Sequence, residues 1–137
     1  MAESAEHMRY VEQIVSYLET IPNCLDELIE ADLPNYSGRT SKVLGIYYPD
    51  VYYRDNNMII IGEAKTENDI ENIHTKSQLT AYIEEAKLFQ GERHIILACS
   101  IFALATMMNF VIHLKHEMDT TGINFHFLDS LNRISKI

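Results

Sequence analysis

A chain of 137 residues, 47% apolar and 23% charged, is long enough to bury one core, and residues 1–137 read as a single domain. The formal net charge of −9 excludes a surface that draws nucleic acid by its overall field. No run of 18 apolar residues or basic-then-apolar leader pattern is present, and Cys24 and Cys99 are widely separated; the expectation is a cytoplasmic protein with free thiols and no membrane span.

The acidity is uneven. Residues 1–32 hold eight acids against one base, Arg9, while the remaining 105 residues carry only −2. Any phosphate binding would therefore depend on local bases and a bound metal.

In chain order, the spacing of Met8, Val11, Ile14, Val15 and Leu18 predicts a helix over 4–19, with Ser4 as its N-cap. Pro22 interrupts, and a short second helix is expected over 24–31. Residues 33–38 read as a loop. Two strands follow, one over 42–48 that continues through Pro49 to Tyr53, the other over 58–64. The polar turn 54–57 joins them as a hairpin. Residues 67–90 predict a long helix with Ile70, Ile73, Leu79, Tyr82, Ile83, Ala86 and Phe89 as its apolar stripe, stopped by Gly91. A strand over 94–99, a helix over 101–118, a turn at 120–122 and a strand over 123–128 complete the order. The tail 129–137 carries no clear pattern. The expected fold class is α/β: a mixed sheet flanked by helices, in the order α-(α)-β-β-β-α-β-α-β.

The chemistry concentrates at Asp50 and at Glu63-Ala64-Lys65. Residues i and i+2 of a strand share a face, so Glu63 and Lys65 project together after three isoleucines. Charge at the end of a buried strand is costly unless it is paired or metal-bound. The hairpin brings Asp50 alongside, and the two carboxylates make a hard oxygen site suited to Mg²⁺ or Mn²⁺. Such an ion would acidify a bound water and stabilise charge on a phosphate, with Lys65 beside it to act on the water.

Pro49-Asp50, a hairpin, then Glu63-Ala64-Lys65 resembles the signature of the PD-(D/E)xK nuclease superfamily, which includes restriction endonucleases. The element order matches over nearly the whole chain. The resemblance implies a restriction-endonuclease-like fold and Mg²⁺- or Mn²⁺-dependent hydrolysis of phosphodiester bonds, with DNA as the expected substrate. By resemblance, Asp50, Glu63 and the Ala64 carbonyl would hold the metal, and Lys65 would handle the water. A first-helix glutamate would join them, Glu12 first and Glu6 second. Gln78-Leu79-Thr80-Ala81-Tyr82 resembles the Q-x-x-x-Y element of RecB-type members, which gives Gln78 a place near the DNA backbone or the metal-bound water.

Plainer roles compete at several positions. Tyr82 also fits the helix core, and His74 a solvated surface. His113 and His116 lack a third ligand for zinc, while His94 and His126 read as structural. Tyr47, Tyr48, Tyr52 and Tyr53 suit packing as well as base stacking. Arg39, Lys42 and Arg54 are the candidate phosphate contacts. The apolar surplus of 101–118 predicts a homodimer through that helix. The competing function is a nuclease-fold binding or interaction module with little or no catalysis.

Overall fold

The structure is a computed structural model and describes residues 4–44, 46–66 and 73–137. Helix α1 spans Ala5–Leu18, with the Ser4 hydroxyl accepting from the His7 N–H at 3.0 Å. Strands β1 (Glu30–Ala31), β2 (Val51–Arg54) and β3 (Met58–Ala64) follow, then α2 (Ile73–Leu88), β4 (Glu92–Ala98), α3 (Leu104–Glu117), β5 (Ile123–Leu128) and β6 (Ile134–Lys136). The six strands form one sheet in sequence order. The β3–β4 and β4–β5 pairs are parallel and the other three pairs are antiparallel. The described chain is thus an α/β fold: a mixed six-stranded sheet flanked by three helices. No helix among the described residues is long and apolar enough to cross a membrane.

Each sheet face buries its own core, as strand alternation requires. Ile59, Ile61, Ile95, Leu97, Phe125 and Phe127 face α2 and α3. Ile60, Ala64, Ile96, Ala98 and Leu128 face α1, against Tyr10, Val11, Ile14 and Leu18. Gly62 lets α1 settle onto β3: a Cβ there would lie 3.0 Å from Ile14 Cγ2 and 3.1 Å from Val51 Cβ. Gly91 has φ +148°, and a Cβ would stand 2.5 Å from the Asn57 carbonyl oxygen, which accepts the Glu92 N–H at 2.9 Å. That glycine stops α2 and admits β4 beside the β2–β3 turn.

Four expectations change. The helix expected over 24–31 is a single 3-10 turn, Asp26–Leu28, followed by the edge strand β1. Pairing with β2 (Ala31 opposite Val51) outweighs the weak helical pattern. The strand expected over 42–48 is a loop with one antiparallel bridge between Val43 and Tyr47, and Leu44 turns it with a left-handed φ of 51°. The tail forms β6, set by the turn in which Asp129 Oδ1 accepts the Leu131 N–H at 2.8 Å and Asn132 adopts φ 60°. Ile73 stands 86% exposed outside the α2 stripe, and the part of that helix expected over 67–72, with Ile70, lies outside the described residues.

In α3 only Met107, Val111 and Leu114 are buried. Leu104, Met108, Phe110 and Met118 pack partly buried against the same core, so of the apolar surplus read from 101–118 only Phe102, just ahead of the helix and 86% exposed, and Ile112 stand at the surface.

Candidate active site at the end of the central strand

Glu63 is the last but one residue of β3, on the face that α2 covers, and Lys65 follows just beyond the strand. Ala64 points into the opposite, α1-side core. Asp50 lies just before β2 and reaches the same end of the sheet because β2 runs antiparallel to β3, Val51 opposite Gly62. Its Oδ2 accepts the Ala64 N–H at 2.9 Å. The three side chains are buried: Asp50 is 7%, Glu63 5% and Lys65 7% exposed.

Helix α2 supplies the supports. Tyr82 is fully buried, and its hydroxyl donates to Glu63 Oε1 at 2.6 Å. Gln78, one turn earlier on the same helix face, accepts from the Lys65 ammonium through Oε1. Lys65 Nζ lies 4.0 Å from Glu63 Oε2. Gln78 thus holds the lysine, and Tyr82 is at once a core aromatic and a ligand to Glu63. Burial pushes the Tyr82 hydroxyl far above the ordinary phenol range, so it stays a donor.

The electrostatics are crowded. Burial raises the Glu63 carboxyl well above the usual carboxylate range, and the neighbouring Asp50 charge raises it further. Lys65 pulls the other way without restoring it. With its carboxyl raised that far, Glu63 favours holding a proton against Asp50; one negative charge then stands beside the single cation Lys65, and a bound cation would take that proton's place.

The first helix contributes His7. Its Nε2 stands 3.2 Å from Asp50 Oδ2. Glu12 is exposed and lines a separate depression with Glu19 and the Leu33–Tyr36 loop; Glu6 is exposed as well. Among the described residues, neither glutamate pairs with Asp50 or Glu63. The signal for His7 was legible. It leads the buried stripe of α1, three, four and seven residues before Tyr10, Val11 and Ile14, whereas Glu12 falls off that stripe.

The other candidates disperse. Tyr52 and Tyr53 are buried, with the Tyr53 hydroxyl on Asp55 Oδ2. Tyr47 packs edge-on against Tyr82 and the exposed His74. Tyr48 is exposed, with Arg39 and Lys42 over its ring. Arg54 lies over Phe89 and 4.0 Å from Glu85, so its charge is committed elsewhere. His94 and His126 face α1, 2.8 Å apart through Nδ1 and Nε2. His113 and His116 are exposed on α3.

Among the described residues, no group of three or more His, Cys, Asp and Glu side chains is arranged to enclose a metal ion. A Mg²⁺-type site needs fewer protein ligands, because the ion keeps several waters and takes one or two carboxylates. Asp50 and Glu63 fit that donor set: both are hard oxygen groups, and their mutual repulsion is what a cation relieves. Comparison with protein-family models, with curated proteins and with solved structures gave no match.

Proposed function

We propose that this protein is a metal-dependent phosphodiesterase acting on nucleic acid, DNA by preference, with a restriction-endonuclease-like fold of the PD-(D/E)xK type. The observation that carries the reading is the buried pair Asp50 and Glu63, crowded together at the end of β3 with Lys65 held beside them. A site built only for stability would not gather two desolvated carboxylates around a single lysine, since such charge is costly to bury. The element order and the mixed sheet support the fold assignment.

Asp50 and Glu63 would hold Mg²⁺ or Mn²⁺, joined by the Ala64 carbonyl and by His7, whose imidazole suits Mn²⁺ better than Mg²⁺. When bound, the ion supplies Lewis acidity and a more acidic water. Lys65 orients the attacking water and offsets charge on the phosphate. Gln78 fixes the lysine, and Tyr82 fixes the orientation of Glu63. Burial keeps bulk water from screening these charges.

The test is cleavage of labelled DNA with Mg²⁺ or Mn²⁺. Wild-type protein is expected to cut, with activity lost in EDTA and lowered at least about a hundredfold in Lys65→Ala. Full activity of that variant would refute the assignment. No cutting of any nucleic acid would favour a nuclease-fold binding module. Self-association through α3 and the turn that leads into it belongs to the same proposal, because Phe102 in that turn and Ile112 on the helix stand exposed. Light scattering that shows a monomer at micromolar concentration would contradict it.

A further inference from the structure

Among the buried polar side chains of the described residues, Asp50, Glu63, Lys65 and Gln78 make up the site, and Thr40 lies outside it in a loop. Thr40 is 4% exposed, while residues 34–39 before it and Ser41 and Lys42 after it are exposed. Packing alone would be served by a valine, since a buried hydroxyl is costly unless it is bonded. The partner is the Pro49 carbonyl, to which Thr40 Oγ1 donates.

That carbonyl belongs to the planar peptide that leads into Asp50. Asp50 lies in a bend ahead of β2, outside the strand ladder, so pairing with β3 does not by itself set its direction. The restraints fall instead on the two peptide planes that flank its Cα. On the far side, the Asp50 carbonyl accepts the Asp32 N–H at 2.9 Å. On the near side, the proline ring fixes φ of residue 49 at about −65°, which leaves ψ free. The Thr40 bond removes that freedom. Thr40 is anchored in turn through Ser41, whose N–H at 2.6 Å and hydroxyl at 2.9 Å both donate to Glu30 Oε1. Glu30 is on β1, opposite Tyr52 of β2. The restraint thus runs from the sheet edge through Ser41 and Thr40 to the residue before the carboxylate.

We propose that Thr40 is the positioning residue of Asp50: by holding the Pro49 carbonyl, its hydroxyl aims the Asp50 carboxylate at the Ala64 N–H and at His7, beside Glu63. The same Oδ2 accepts the Ala64 N–H at 2.9 Å and stands 3.2 Å from His7 Nε2. A turn of the Pro49–Asp50 peptide would carry that oxygen away from both, and an ion held by Asp50 and Glu63 would lose a ligand. The inference rests on the hydrolytic reading only for what this placement serves; the placement belongs to the metal-free fold.

Nitrogen-15 correlation spectra in EDTA test it without metal. Thr40→Val keeps the shape of the side chain and loses the donor. In that variant the Ala64 amide proton is expected to move upfield as its carboxylate acceptor is misplaced, while the Lys65 amide, bonded to the Ala98 carbonyl at 2.9 Å, stays. Thr40→Ser keeps the donor and should match the wild type. In calorimetry, Mn²⁺ affinity is expected to fall about tenfold in Thr40→Val and to recover in Thr40→Ser. Thr40→Ala carries the same expectations and stands in for the valine variant if that one does not fold. An Ala64 amide unmoved in Thr40→Val, or a serine variant as impaired as the valine one, would overturn the proposal. So would a lowered Tm with the Ala64 amide and the Mn²⁺ affinity both kept, which is the result for a hydrogen bond that only stabilises the loop. The two readings fail separately. A wild type that binds no Mn²⁺, with the Ala64 amide shifted in Thr40→Val, removes the metal reading alone. An unshifted amide in a variant that binds Mn²⁺ like the wild type removes the role of Thr40 alone.

Discussion

Replacing Asp50 by Asn keeps the shape of the side chain and deletes one of the two crowded charges. The Ala64 N–H, now 2.9 Å from Asp50 Oδ2, retains an amide oxygen as acceptor. Two like unit charges in near contact, at an effective dielectric of about 20, repel by about 4 kcal/mol, which is a ceiling on the gain because burial is the larger cause of the Glu63 shift. Against this, the Asn loses the charge-assisted part of its contacts with the Ala64 N–H and with His7 Nε2, together about 2 kcal/mol. The metal-free variant is therefore expected to be more stable than wild type by about 1–2 kcal/mol at pH 8, where Glu63 is ionised in the unfolded chain. That corresponds to about 3–6 °C in Tm for a domain of this size. Thermal unfolding in EDTA measures it. Adding Mn²⁺ should then raise the Tm of the wild type and leave Asp50→Asn nearly unmoved. A variant less stable than wild type in EDTA, with equal Mn²⁺ stabilisation of both, would refute the reasoning, because the carboxylate pair would then be a structural asset.

Tyr82→Phe removes the donor to Glu63 and is expected to cost about 1–2 kcal/mol in urea unfolding, since it leaves a buried carboxylate oxygen without its partner. Gly62→Ala pushes Ile14 and Val51, and is expected to cost about 1–3 kcal/mol and to lower cleavage with it, because α1 carries His7 to Asp50. In calorimetry, His7→Ala should weaken Mn²⁺ binding about tenfold while Glu12→Gln leaves it unchanged. Burial, with His94 and Lys136 nearby, lowers the His126 pKa from 6.5 to about 4. The unfolded chain then takes up the proton first, so stability is full above pH 6.5 and falls as the pH drops towards 4, by at most about 3 kcal/mol. Urea unfolding from pH 7.5 to 4.5 should show that loss and a flatter profile in His126→Gln.

Much of the site was legible because it lies on a strand whose pattern is strong. Three isoleucines running into Gly62-Glu63-Ala64-Lys65 define β3, and period-two alternation places Glu63 and Lys65 on one face. Spacing of four on α2 likewise put Gln78 and Tyr82 together. The loop over 33–38 was legible from its turn residues, but the segments on either side, 24–31 and 42–48, were not, for the opposite reason. Their structure comes from distant partners, Glu30 and Ala31 from pairing with β2, and Val43 from a buried position in a loop. Charge type also misled the reading of α1. Among several glutamates, acidity drew attention to Glu12, while position on the buried stripe belongs to His7. The role of β6 depended on the Asp129 turn, which only the fold brings against β5.

The most direct test of the central claim is an anomalous difference map from crystals soaked in Mn²⁺. A peak is expected between the carboxylates of Asp50 and Glu63, within reach of His7, and it should disappear in Asp50→Asn crystals. A map with no peak there at saturating Mn²⁺, or with the peak persisting in the variant, would contradict it.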